Sequence, residues 1–325
     1  MVRRRHGWGR VLVLLTDLAI MAAIVATIMA VLVAGTGALA AGSTPAKRRI
    51  AASLLTSQHG FYQELQDGLV SEGRKCSFEL DIIYAEFDAA KQARQIEDLI
   101  ARRPDALIIS PCDSTAIGES IVKANKASIP VFTVDIANRS GYGSVVSHIA
   151  SDNFEGGRLA GQLMAKALGG TGKVIIINHP SITSVMDRVS GFREYLEQYP
   201  GIQIVADIPA WGQRTRATAV MEDVLMMMPY IDGVFGINDD STLGALRAIE
   251  ASRVKRPIVV VGYDGTPEAV KAIRSSKVYG DVVQYPRQIG VLTIQAIRDY
   301  FNGLPVKPYI AVGVGTMTAD SLAGS

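Results

Sequence analysis

Short β-branched runs alternate with amphipathic stretches along most of this chain. Ile50 to Leu55 is an apolar run of strand length, and Phe61 to Glu72 has helical periodicity through Leu65 and Leu69. Strands are then predicted at Glu79 to Tyr84, Ala106 to Ser110 and Pro130 to Val134, with helices over Ala89 to Arg102 and Thr115 to Asn125 between them. The pattern restarts in the second half, with strands at Val174 to Ile177, Ile202 to Ala206, Gly233 to Gly236 and Pro257 to Val261. A tail follows, with a strand at Val278 to Val283, a helix over Arg287 to Tyr300 and a strand at Tyr309 to Val314. It is too short for a third domain. Repeated βα units predict parallel sheets with helices on both faces.

The two halves meet at Val145 to Gly161, VVSHIASDNFEGGRLAG. A β-branched run passes through Ser151-Asp152-Asn153 into a glycine-spaced helix predicted to begin near Glu155. Ser151 or Asp152 is suited to cap that helix, and Gly156 with Gly157 lets it lie close to its neighbour. The stretch is therefore expected to be the first crossing between two α/β lobes.

The first 48 residues stand outside this pattern. Basic residues through Arg10 precede an apolar run, broken at Thr16-Asp17, that reaches Val33 and is followed by Ala38-Leu39-Ala40. An export segment cleaved after Ala40 is expected, with an uncleaved signal anchor over residues 11–33 as the alternative, since the run exceeds an ordinary signal core of about 7–15 residues. Either outcome places the chain from Ala41 onward outside the cytoplasm. Over 325 residues, 48% hydrophobic and 20% charged, the net charge is +2. The basic clusters Arg3 to Arg5 and Lys47 to Arg49 read as a topology signal and a solvated linker, so no nucleic-acid partner is expected. Cys76 and Cys112 flank different strands and are expected to be free thiols.

Ligands in open parallel sheets bind beyond the carboxyl ends of strands. The residues expected there run from Ser57 to Tyr62 and from Ser110 to Ser114, then Asp135, Ile136, Arg188, Trp211, Asn238 to Asp240, Tyr263, Asp264 and Gln284. Flat rings mixed with Asp, Asn, Gln and Arg suit sugar recognition: rings cover C–H faces, and planar polar groups take pairs of hydroxyls. Asp135, Asn238 and Asp264 are also residue types that cap helices. Three of them at three strand ends facing one cleft are better explained by a ligand.

In VVSHIASDN (Val145 to Asn153), INDDSTLGALRAI (Ile237 to Ile249), VVGYDGTPE (Val260 to Glu268) and QYPRQIG (Gln284 to Gly290), the chain resembles the periplasmic ribose-binding protein family, from about Arg49 to the tail. The resemblance implies two Rossmann-like lobes with parallel sheets joined by a three-segment hinge, here near Ser147 to Asp152, Gln284 to Arg287 and Ile310 to Gly313. The lobes are expected to comprise residues 49–151 with 285–311 and 152–284 with 312–325. It further implies that Phe61, Tyr62 and Trp211 sandwich a sugar ring and that Asp135, Arg188, Asn238, Asp264 and Gln284 take its hydroxyls. His59, Ser110 and Ile136 stand where the family has Asn, Asn and Arg, which puts ribose itself in doubt; with Tyr263 they are further candidates for ligand contact.

Other chemistries lack support. Gly169 to Lys173, GGTGK, has Val174 where a phosphate loop needs Ser or Thr and precedes its strand. His6, His59, His148 and His179 have no metal-ligand spacing, so neither metal nor cofactor is expected. His59 is expected to be solvated on the rim, and His148 to be structural. No enzyme motif occurs. The expected function is capture of a monosaccharide or polyol for an ABC import permease, membrane contact being confined to the N-terminal segment. The alternative is a membrane-anchored sugar-sensing module with a chemoreceptor as partner.

Overall fold

The computed structural model describes Met21, residues 47–228 and residues 230–324. The expected export segment, its cleavage after Ala40 and the alternative anchor over residues 11–33 lie, apart from Met21, outside the described residues. No helix among those described is long and apolar enough to cross a membrane.

Two six-stranded sheets carry the fold. The first is built from β1 (Arg49–Leu54), β2 (Glu79–Tyr84), β3 (Ala106–Ile109), β4 (Val131–Val134) and β5 (Ser147–Ser151), and receives β11 (Tyr309–Val312) from the tail, in the order β11-β5-β4-β3-β1-β2. Its helices are α1 (Gly60–Lys75), α2 (Ala89–Ala101) and α3 (Ile117–Lys126). The second sheet is built from β6 (Thr171–Asn178), β7 (Gly201–Pro209), β8 (Gly233–Gly236), β9 (Val259–Asp264) and β10 (Gly280–Val283), and receives β12 (Gly315–Thr318), in the order β12-β10-β9-β8-β6-β7. Around it stand α4 (Asn153–Leu168), α5 (Thr183–Leu196), α6 (Arg214–Met227), α7 (Asp239–Ala251), α8 (Pro267–Arg274) and the short α10 (Ala319–Ala323), while α9 (Pro286–Phe301) returns to pack on α1. The central strands β3, β4 and β8 are buried along their whole length, whereas the edge strands β2 and β7 keep solvent-facing residues. That contrast follows from helices covering both faces of a parallel sheet.

The chain passes between sheets three times, from β5 into α4, from β10 into α9 and from β11 into β12. The tail departs from expectation here. The strand expected over Tyr309 to Val314 ends at Val312, and an additional strand, β12, follows in the other sheet and runs antiparallel to β10, so the second sheet is mixed. Arg188 also differs in setting: it lies within α5 and not directly after a strand.

At the first crossing the glycines act as close-approach residues. Asp152 caps α4 by accepting from the Glu155 N–H at 3.1 Å. A Cβ on Gly156 would lie 2.0 Å from the Tyr263 hydroxyl, and one on Gly157 would lie 2.0 Å from the Arg188 carbonyl oxygen. Backbone, unlike a side-chain end, has no rotamer by which to yield. Gly157→Ala is therefore expected to force α4 and α5 apart and to cost about 1–3 kcal/mol in urea denaturation; an unchanged midpoint would rule this packing out. Cys76 is half-buried, Cys112 is buried, and both are free.

Candidate functional site

The carboxyl ends of β1, β4, β6, β8, β9 and β10 converge on one cleft. Its wall contains His59, Phe61, Tyr62, Asp135, Arg188, Asn238, Asp264 and Gln284 from the expected set. The two sides of the cleft are drawn together by direct bonds. Thr183 N–H donates to Ser114 Oγ at 3.0 Å, Ala137 N–H to Thr183 Oγ1 at 2.8 Å, and Arg139 pairs with Asp187 at 2.9 Å.

Arg188 is the hub of the second lobe's wall. It is 4% exposed, donates from Nε to Asn153 Oδ1 and from Nη1 to the Ile237 carbonyl, each at 2.8 Å, and lies 3.8 Å from Asp264 Oδ1. Its guanidinium sits over the Tyr263 ring, 3.8 Å from the centroid. That stacking explains the fate of Tyr263, which is fully buried as a platform beneath Arg188. Asp264 Oδ1 accepts from Gln284 Nε2 at 2.6 Å, and Oδ2 accepts from the Asp239 N–H at 3.2 Å. Burial works against the Asp264 charge, yet His59 and Arg188 hold its carboxyl below the usual range. Gln284 Oε1, buried in the cleft wall, has no hydrogen-bond partner.

On the facing wall, Tyr62 donates to Asp135 Oδ2 at 2.6 Å and meets Ser110 Oγ at 3.1 Å. Burial raises the Asp135 carboxyl to about 6, with Arg188 and Tyr62 opposing the shift. Asp135 thus has a direct partner in Tyr62, which sequence reasoning did not anticipate. Phe61 packs edge-on against Tyr62 with centroids 5.2 Å apart. Ser110 and Ile136 are fully buried and stand outside the cleft lining.

Three departures matter. Trp211 is 38% exposed, sits edge-on to His179 with centroids 5.5 Å apart, and leaves Gly212 to line the cleft. Asn238 caps α7, accepting from Ser241 N–H at 2.9 Å while its amide donates to the Gly212 carbonyl. His59, expected to be solvated on the rim, is 8% exposed and meets Asp264 Oδ2 at 3.2 Å, because closure covers the loop. The wall also contains Thr56, Phe87, His179 and Ser184. His179 follows the end of β6, so the strand-end rule applied there would have found it. Phe87, in the loop beyond the carboxyl end of β2, falls under the same rule. Burial lowers the His179 imidazole to about 4, so it is neutral in the site.

Backbone geometry marks the same places. Asp135, Trp211 and Asp264 have φ of 62°, 58° and 129°. Such conformations persist at non-glycine positions where the surrounding structure over-determines them, and they cluster at ligand sites.

The sequence and the fold both recur in known proteins. The ribose import binding protein of Salmonella typhimurium is 36% identical over 263 residues, covering 81% of this chain and 88% of that protein. An ABC transporter solute-binding protein of Mycobacterium smegmatis, solved with glycerol, superposes with a TM-score of 0.80 at 30% identity, covering 86% of this chain and 96% of the other. One from Agrobacterium vitis, solved with α-D-tagatopyranose, gives a TM-score of 0.80 at 27% identity, covering 85% and 96%. With residues 50–305 matching that family as well, the chain belongs to the periplasmic binding protein domain family.

Proposed function

We propose that the chain is an exported solute-binding protein that captures one monosaccharide or small polyol between its lobes and presents the closed form to an ABC import permease. In this reading residues 49–151 with 285–311 make one lobe and residues 152–284 with 312–325 the other. The observation that carries the reading is the buried, unpartnered Oε1 of Gln284 in a wall that also holds Asp135 and Arg188. A buried acceptor without a donor is costly, and a ligand hydroxyl satisfies it. Arg188 and Asp264 offset each other in charge, which suits an uncharged ligand. Phe61, Tyr62 and Phe87 supply the apolar surface for C–H faces. The matched relatives are a ribose import binding protein and solute-binding proteins solved with glycerol and with α-D-tagatopyranose, and the family is one of periplasmic binding proteins, which supports capture of an uncharged polyhydroxylated solute.

The test is a thermal-shift screen against pentoses, hexoses, deoxy sugars and polyols. A ligand at ~100 times its dissociation constant adds about 2.7 kcal/mol, a shift of a few degrees. No response from a folded sample shown to carry no ligand would sink the proposal.

Trp211 gives a second readout, because the other tryptophan is Trp8, near the N-terminus. Trp211→Ala is expected to weaken sugar binding by less than about tenfold, since the ring is half-exposed and reaches the cleft only through His179 and Gly212. Isothermal titration checks this: a loss beyond a hundredfold would make the ring a direct sugar platform.

A further inference from the structure

We propose that His59 is a positioning residue for ligand capture: rooted in the first lobe, its imidazole docks on Asp264 and Asp240 of the second as the cleft closes, and closure takes up a proton there. The inference rests on the capture reading above and adds a residue that acts through Asp264.

The geometry is specific. His59 is the N-cap of α1, where Nδ1 accepts the Phe61 N–H at 3.2 Å, which leaves Nε2 to face the other lobe. Nε2 lies 3.2 Å from Asp264 Oδ2 and 3.8 Å from Asp240 Oδ2, with His59 and Asp264 both buried. Asp264 ends β9 and Asp240 lies in the first turn of α7, so neither contact survives separation of the lobes. The imidazole completes the set of groups around Asp264, whose oxygens also face Gln284 Nε2, the Asp239 N–H and, at 3.8 Å, Arg188. A carboxylate held by donors from both lobes is fixed in place for the ligand, and the fixing is complete only in the closed form.

The charges facing His59 come from several elements. Asp264 on β9, Asp239 and Asp240 on α7, and Asp135 beyond β4 favour its cation. Arg188 near Asp264 and Arg214, bound to Asp240 at 2.9 Å, offset part of that field. The first turn of α1 contributes no acidic residue. Protonation converts Nδ1 from acceptor to donor and so competes with the Phe61 bond. Burial also opposes the charge, and the carboxylates prevail, raising the imidazole from 6.5 to about 9. The sign follows: the clamp is fully charged below 6.5, where the open form is protonated as well, and it is lost as pH rises through about 9. Between those limits closing takes up a proton, about 0.9 at pH 7.5, and sugar affinity falls about sevenfold from pH 7 to pH 8. Asp239 and Asp281, a buried carboxyl pair behind Asp264, lie together within the second lobe, so their protonation is not tied to closure.

The experiment is isothermal titration at pH 7.5 with the sugar found by the screen, in two buffers of different ionisation enthalpy, on the wild-type chain and on His59→Asn. Asparagine is a good N-cap, so the variant keeps the helix start. Wild type should take up close to one proton and the variant close to none, with the fall in affinity between pH 7 and pH 8 flattened. Binding without proton uptake, or uptake that His59→Asn leaves unchanged, overturns the proposal. If no sugar binds, the capture reading fails, an outcome distinct from binding without proton uptake. A ¹³C NMR titration adds a direct readout: a His59 midpoint, identified by its disappearance in His59→Asn, that moves from near 6.5 in the ligand-free chain to near 9 in the sugar-saturated chain supports the clamp, and one that does not move overturns it.

Discussion

Replacing Arg188 by alanine is expected to abolish sugar binding and to destabilise the fold by about 3–5 kcal/mol, the usual cost of leaving buried charge without its partner. The guanidinium is 4% exposed and serves four groups at once: Asn153 Oδ1, the Ile237 carbonyl, Asp264 Oδ1 and the Tyr263 ring. Its removal orphans a backbone acceptor, leaves the Asn153 amide oxygen with only the Tyr263 hydroxyl at 3.5 Å, and takes away the cation that restrains the Asp135 carboxyl. Arg188→Lys should recover part of the stability and little of the binding, because an ammonium keeps the charge without the planar fork or the stacking. Chemical denaturation and titration separate the two effects. Arg188→Ala with native stability and affinity within threefold of wild type would remove Arg188 from the centre of the site.

The second large effect is expected at Asp264. Asp264→Ala should weaken sugar binding by roughly 2 kcal/mol or more, about thirtyfold, because Gln284 Nε2, the Asp239 N–H and His59 would each be left with an unmade bond in a buried wall. Asp264→Asn separates shape from charge. It keeps one acceptor oxygen in nearly the same place, so it should retain more affinity than the alanine while losing the ion pair with His59. The φ of 129° at this position is unfavourable for alanine as well, so neither variant gains by relieving the backbone. Equal affinities for wild type and Asp264→Ala in titration would show that the carboxylate contributes neither to holding the ligand nor to closing the lobes over it.

Much of this molecule was legible before its structure. The βα alternation is a local property, written in the periodicity of runs such as Val174 to Ile177 and Ala89 to Arg102, and the expected elements appear with shifted ends. The junction at Val145 to Gly161 was legible for the same reason. Asp152 caps α4, and Gly156 and Gly157 make the close approach that their missing Cβ permits. Strand-end reasoning also placed Asp135, Asn238, Asp264 and Gln284 on one cleft, because a parallel sheet sends all its carboxyl ends to the same side.

Sequence by itself therefore determined the fold class, the place of the cleft and most of the residues at its mouth. It did not determine what those residues do to one another. His59 and Asp264 are 205 positions apart, and whether the imidazole is a solvated rim residue or a buried partner is decided only when two lobes meet. Trp211 was the expected ring, but the turn at φ 58° and 67° sends it outward and leaves its neighbour Gly212 on the wall. Tyr62 bonds Asp135, and Tyr263 lies beneath Arg188, because burial leaves each polar group only the partners that packing brings within reach. Periodicity and capping act over a few residues, whereas desolvation and charge pairing act across the closed cleft. For that reason the partners, protonation and exposure of the site residues belong to the tertiary structure alone.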